Sequence, residues 1–133
     1  MIASNPLNDY QIDFFIAPRF LLFAAAICID SVRLCNRELP DNPLRIRLLS
    51  ESGGSIPASN GIPLQTESIT DRDNAGTVIV LTSYEPEAVD TPRVLNWIRQ
   101  QHRQGARMAC IETAAYLFVQ SKKMVVRYVQ APD

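Results

Sequence analysis

The residue best placed to do chemistry in this chain is a glutamate at the junction of a short apolar strand and an apolar helix. Residues 105–120 read GARMACIETAAYLFVQ: a glycine that ends a helix, an apolar strand over 107–111, a turn at Glu112 and Thr113, and a second apolar helix. A strand-turn-helix at the carboxyl end of a buried strand is where open α/β sheets keep their ligands. In many enzymes the turn residue there is a Ser or Cys nucleophile on strained backbone. A carboxylate also serves as nucleophile or general base, but the turn carries no thiol and no histidine follows it. The single histidine, His102, falls near the end of the preceding helix, where it complements the dipole. Cys110, two residues before the turn, is expected deeper in the sheet as a structural thiol. No catalytic residue, metal or cofactor is therefore expected.

Asp30 and two tyrosines complete the candidate constellation. Asp30 is the first charge after the apolar run LLFAAAICI, either a boundary marker or a member of the site. Tyr116 lies one helical turn after Glu112, and Tyr84 sits in the loop after the strand at 77–82. Together with Glu112 they would make an acidic, aromatic-edged pocket. Such a pocket suits an amine or quaternary ammonium, through charge attraction and cation-π contacts of ~0.5–2 kcal/mol each. The plainer alternative is that Glu112 caps the amides of the helix that follows it.

The elements that must position these residues read as an α/β alternation. Residues 1–10 are a polar, flexible leader; residues 11–17 (QIDFFIA) form a nearly continuous apolar strand, as expected when both faces are covered. A helix follows over 20–38, apolar nearly all round in its first half, which is expected to be the buried half. Residues 44–50 alternate as a strand with Arg45 and Arg47 on one side; 62–69 are a short excursion or hairpin arm, and the prolines at 57 and 63 argue against a central strand in that region. The strand 77–82 (TVIVLT) is β-branched and uncharged. Thr91 and Pro92 start a helix that stops at Gly105. After the strand 107–111 and the helix 113–120, residues 122–129 (KKMVVRYV) read as one more strand. The right-handed crossover rule gathers the loops after the strands at one edge. Arg19, Ser83, Tyr84, Glu112 and Thr113 thereby converge on one crevice.

Bulk properties narrow the function classes. With 133 residues one domain is expected. The formal charge of -1 and scattered basic residues give no reason for this chain itself to bind nucleic acid. The longest apolar run is half of a membrane span, so no membrane partner is expected. Three cysteines in apolar surroundings suit reduced thiols in a cytoplasm.

Four segments, in order, carry a family resemblance: DFFIAPRF, AAAICIDSVRLCNRE, LLSESGGSIPASNGIPLQTE and ACIETAAYLF. From about Ile12 onward the chain resembles the class I glutamine amidotransferase-like domain of the DJ-1/PfpI superfamily, in the form found at the amino terminus of AraC-type transcriptional regulators. The resemblance implies a flavodoxin-like three-layer sandwich with a mainly parallel sheet, shortened at its carboxyl end and without a helix-turn-helix domain. It departs from the catalytic relatives where Glu112 replaces cysteine, Thr82 and Ser83 replace a Gly-Gly pair that helps form an oxyanion hole, and Arg19 and Ala114 replace glycines. The expectation is a non-catalytic domain sensing a small nitrogenous metabolite, amine or amino-acid-like, through Glu112, Thr113, Asp30, Tyr84, Tyr116, Ser83 and Arg19. The alternatives are a vestigial dimerisation module and a hydrolase or glyoxalase-like enzyme. Homodimerisation is expected because apolar surface on a short sandwich must be covered.

Overall fold

The computed structural model describes residues 10–82, 85–111 and 114–120. Within them lie strands β1 (Tyr10–Ile16), β2 (Leu44–Ser50), β3 (Gly54–Pro57), β4 (Pro63–Ser68), β5 (Thr77–Leu81) and β6 (Arg107–Ile111), and helices α1 (Leu22–Glu38), α2 (Pro92–Arg103) and α3 (Ala115–Gln120). The strands form one sheet in the order β3-β4-β2-β1-β5-β6. All neighbours run parallel except β3 and β4. This is the flavodoxin-like three-layer arrangement that the resemblance implied. The expected strand at 122–129 lies outside the described residues.

The hairpin arm is more ordered than its composition suggests. It is two strands, β3 and β4, and β4 joins the main sheet through Leu49↔Glu67 and Ser50↔Ser68. Pro57 and Pro63 are tolerated because they pair with each other at the last register position of the outermost hairpin, where missing amides cost little. Gly53 (φ 75°) makes the sharp entry, and an added Cβ there would stand 2.9 Å from the Ser68 amide nitrogen.

Strand alternation sorts β1 between two cores. Ile12, Phe14 and Ile16 face α1, while Phe15 and Ala17 face α2 and α3. On the second face Trp97 packs against Phe15 with ring centroids 5.7 Å apart, beside Val94, Ile98 and Leu117. Helix α1 corrects the sequence reading. It buries one side along its length rather than its first half, and only Ala25 is fully covered. The reason is that, among the described residues, α1 is the helix packed on that face of the sheet, so an all-round apolar segment leaves one side outward.

A buried polar network ties the second face together. Asp13 on β1 is registered opposite Arg47 on β2, and the two form a bidentate pair at 3.0 and 2.6 Å. Arg47 Nη2 also donates to Asp73 Oδ1 at 3.2 Å, and Trp97 Nε1 donates to Asp73 Oδ2 at 2.8 Å. Thr70 gives Asp73 two more hydrogen bonds, from its amide and its hydroxyl. The Asp13 hydrogen bond, reinforced by the charges of Asp13 and Asp73, raises the Arg47 pKa against the opposing effect of burial. β1, β2, the segment returning to β5, and α2 thus share one cluster.

The amino terminus of α2 follows its sequence signal. Thr91 Oγ1 accepts from the Val94 amide at 3.2 Å and donates to Glu51 Oε1 at 2.8 Å, so one hydroxyl caps the helix and links it to the end of β2. Thr91→Ala is expected to lower stability by about 1–2 kcal/mol, read as a urea midpoint shift, and Thr91→Ser to recover most of it.

Candidate functional site

The crevice lies where strand order reverses. From β1 the chain steps through α1 to β2 on one side of the sheet, and from β5 through α2 to β6 on the other, so the two crossovers lie on opposite faces. Their loops part between the carboxyl ends of β1 and β5, the position at which this architecture opens toward ligands.

The β1 side of the mouth is a strained turn. Ala17 extends the strand pairing by donating to Leu81 O at 3.0 Å; then Pro18 and Arg19 turn the chain into α1. Arg19 has φ 64°, the left-handed region in which a side chain is uncommon, and its amide is held by Pro57 O at 2.8 Å. Buried Phe20 locks the other end of the turn through a bridge to Ala58. A non-glycine residue in such backbone persists where its surroundings over-determine it.

The β5 side is the loop at 85–90, which is clipped twice. Arg19 Nη1 meets Glu85 Oε1 at 3.1 Å across the mouth. Both side chains are more than half exposed, so the pair is worth about 0–1 kcal/mol and is readily displaced. At the other end of the loop Tyr116 on α3 donates its hydroxyl to Asp90 Oδ2 at 2.9 Å. That hydrogen bond, then burial and the charges of Asp90 and Glu87, push the Tyr116 pKa up, keeping the phenol neutral as a donor. Pro86 and Val89 are buried and anchor the short 3-10 turn between the clips.

The sequence-derived residues divide three ways. Arg19 and Tyr116 are brought to opposite ends of the 85–90 loop. Ser83, Tyr84, Glu112 and Thr113 lie outside the described residues, although Glu112 follows directly on Ile111, the last residue of β6. Asp30 is a correction: it is exposed on the outer side of α1 and paired with Arg33 at 3.3 Å, not aimed at the crevice. The helical period of 100° per residue puts it in line with Phe23, Ile27 and Leu34, and about 12 Å along the helix axis from Leu22. Glu85 and Asp90 are rim residues that pattern reading passed over. Their signal was a carboxylate-rich loop, EPEAVD, at the carboxyl end of the cleanest strand.

Cys110 lies on the α2 side of β6, half-buried against that core, and burial pushes its thiol pKa up. A second concavity, of about 460 Å³, lies between α2 and residues 69–71, lined by Trp97, Arg93, Asn96 and Gln100 among others. Its polar lining is largely engaged already. Arg93 donates to Glu51 O, Ser68 Oγ and Ile69 O, and Gln100 donates to Asp71 O. Among the described residues no helix is long and apolar enough to cross a membrane.

No family model matches the chain. In overall geometry it superimposes on an AraC family transcriptional regulator from Pseudomonas putida with a TM-score of 0.71 and 15% identity, covering 81% of this chain and 58% of that one. A DJ-1 superfamily protein from Agrobacterium tumefaciens matches with a TM-score of 0.68 and 12% identity over 85% of this chain and 58% of that one. The chain has the DJ-1 superfamily fold. In sequence it is similar to the HTH-type transcriptional regulator CdhR of Pseudomonas aeruginosa, 26% identical over 109 residues, which is 81% of this chain and 32% of that protein. The chain therefore spans about a third of the curated relative and somewhat more than half of these matched structures. The resemblance drawn from the four sequence segments agrees with these neighbours, among which transcriptional regulators carry the same fold.

Proposed function

We propose that this DJ-1-type domain is a non-catalytic sensor of a small nitrogenous metabolite, an amine or amino-acid-like compound, within a transcriptional regulator. The observation that carries the reading is the acid-rich loop at 85–90, tied by Arg19 on one side and Tyr116 on the other, at the mouth of the strand-end crevice. With Glu85, Glu87 and Asp90 against the single cation Arg19 among the described residues named for the mouth, the local charge favours a positively charged ligand. The likeness to regulators supports the same reading. Glu112 in place of a thiol removes the first step of the acyl-transfer or glyoxalase-type route of the catalytic relatives that the sequence resembles, and favours binding over turnover.

A thermal-shift screen against amino acids, polyamines, betaines and small aldehydes, run on the chain and on Glu112→Gln, tests this. One amine class at about 100 times its Kd should stabilise the protein by about 2.7 kcal/mol, a shift of several degrees, and should be recovered chemically unchanged. Glu112→Gln should abolish the shift while melting normally without ligand. Consumption of the compound would replace sensing by catalysis. No shift with any class would leave a domain kept for assembly.

A further inference from the structure

The basic residues that are scattered along the sequence are not scattered in the fold. Arg19, Arg33, Arg37 and Arg47 each meet a carboxylate, and Arg93 is spent on Glu51 O, Ser68 Oγ and Ile69 O. Arg45 donates to Asn42 O, and Arg99 to Asn96 Oδ1. Arg72, Arg103 and Arg107 differ. All three are exposed, and their side chains enter no hydrogen bond or ion pair among the described residues.

The fold brings these three to one end of the molecule. Because α2 joins the parallel strands β5 and β6, it runs back along the sheet, and Arg103 in its last turn lies at the amino ends of the strands. Arg107 opens β6 opposite Thr77. Arg72 belongs to the segment leading into β5, which is fastened to the same end of α2: Gln100 Nε2 donates to Asp71 O at 2.6 Å and Gln101 Nε2 to Asp73 O at 3.1 Å. The turn between Arg103 and Arg107 is tight, with the Ala106 amide donated to Gln101 O at 3.1 Å. Asp71 is the exposed acid of this neighbourhood, while Asp73 is buried and satisfied by Arg47, Trp97 and Thr70. Arg103 alone has an internal explanation, since it complements the negative end of the α2 dipole. Arg72 and Arg107 lie on no helix.

We propose that Arg72, Arg103 and Arg107 form a contact for the phosphate backbone of double-stranded DNA. The core of a protein interface is apolar and rich in aromatic residues. Here the exposed large apolar residues Phe23, Ile27, Leu34, Ile62 and Val119 all lie outside α2, the 71–76 segment and the turn before β6. A duplex presents one phosphate about every 3.4 Å along each strand, so arginines on separate segments find partners together without a shaped cleft. The acid-rich mouth does not cancel them. It lies at the other end of β5, whose five residues span about 17 Å, twice the screening length of about 8 Å at physiological salt. A chain of net charge -1 can therefore present a basic end. The proposed setting in a transcriptional regulator makes duplex DNA the phosphate chain at hand, and the inference rests on that setting for this choice alone.

Anisotropy of a labelled duplex of about 20 base pairs, titrated with the full 133-residue chain at several salt concentrations, is the test. The expected result is sequence-independent binding near about 20 mM salt that weakens about fortyfold between about 50 and about 200 mM, as three phosphate contacts require. Arg72→Gln, Arg103→Gln and Arg107→Gln should each weaken binding several-fold and reduce the salt slope by about 1, and the triple variant should abolish it. Arg103→Lys and Arg107→Lys should bind nearly as the parent does. Gln65→Glu, which makes the same change in net charge at an exposed position on β4, should change the affinity less than about twofold. Four results would overturn the assignment: no binding at low salt, binding that survives the triple variant, equal weakening by Gln65→Glu, or arginine-dependent binding to poly-glutamate and not to the duplex. No metabolite is added in this experiment, so its failure leaves the sensing proposal standing.

Discussion

Arg47→Leu is expected to destabilise the protein by about 3–5 kcal/mol, because it strands two buried carboxylates. Asp13 is fully buried and Asp73 nearly so, and each is held by the same guanidinium. Asp73 would keep Trp97 and Thr70 as donors, whereas Asp13 would keep the Gln11 side chain among the described residues. The loss therefore falls chiefly on the β1–β2 pair at the centre of the sheet. Since the Arg47 pKa is raised, its charge contributes stability that is present throughout the ordinary pH range and is lost only as pH rises through that high value. Urea unfolding followed by the fluorescence of Trp97, the only tryptophan, reads the change directly. Adding Asp13→Leu to Arg47→Leu should recover much of the loss, because an apolar pair of adequate packing replaces a buried ion pair at little cost. A single variant within about 1 kcal/mol of the parent would mean that water solvates the cluster and that the pair contributes as a surface pair does.

Trp97→Ala is expected to cost about 3–5 kcal/mol, the range for deleting a buried aromatic ring. The ring is 3% exposed, stacks beside Phe15, and sits where α2 meets the sheet. Trp97→Phe separates the two contributions. It keeps most of the packing and removes the 2.8 Å hydrogen bond to Asp73, for an expected loss of about 1–2 kcal/mol. Circular dichroism must follow these variants, since the only indole is gone. Because Trp97 and Arg47 donate to the same carboxylate, their losses should be non-additive, with a coupling of about 0.5–3 kcal/mol in a double-mutant cycle of Trp97→Phe and Arg47→Leu. Additive losses would show that Asp73 does not join the two side chains energetically.

Most of the architecture was legible in the chain because its signals are local. Thr91 and Pro92 start α2 through a cap that forms as the motif predicts, and TVIVL is buried on the strand that its β-branched run suggests. The hairpin arm was visible only as turn residues and prolines. Its two strands exist because β2 offers a neighbouring edge to pair with, which no feature of residues 54–68 alone can signal.

The site was legible to a smaller extent. Arg19 was recognisable as a cation in the turn after β1, and Tyr116 as one helical turn beyond Glu112. That both would clasp opposite ends of the 85–90 loop required the crossovers to bring residues 66 and 26 positions apart together. Asp30 was misplaced because the end of an apolar run marks a position along a helix, whereas pointing toward a crevice depends on the angle around it.

The sequence by itself determined the succession of strands and helices from β1 to α3, which depends on neighbouring residues and their period, and the absence of a thiol at residues 112 and 113. The tertiary structure decided which side of α1 faces the sheet, that Asp13, Arg47, Asp73 and Trp97 form one buried network, and that Glu85 and Asp90 lie on the loop after β5 at the switch point. Burial and ion pairing between distant segments depend on how layers stack and which strands become neighbours. A periodicity within one element carries no information about what lies across from it.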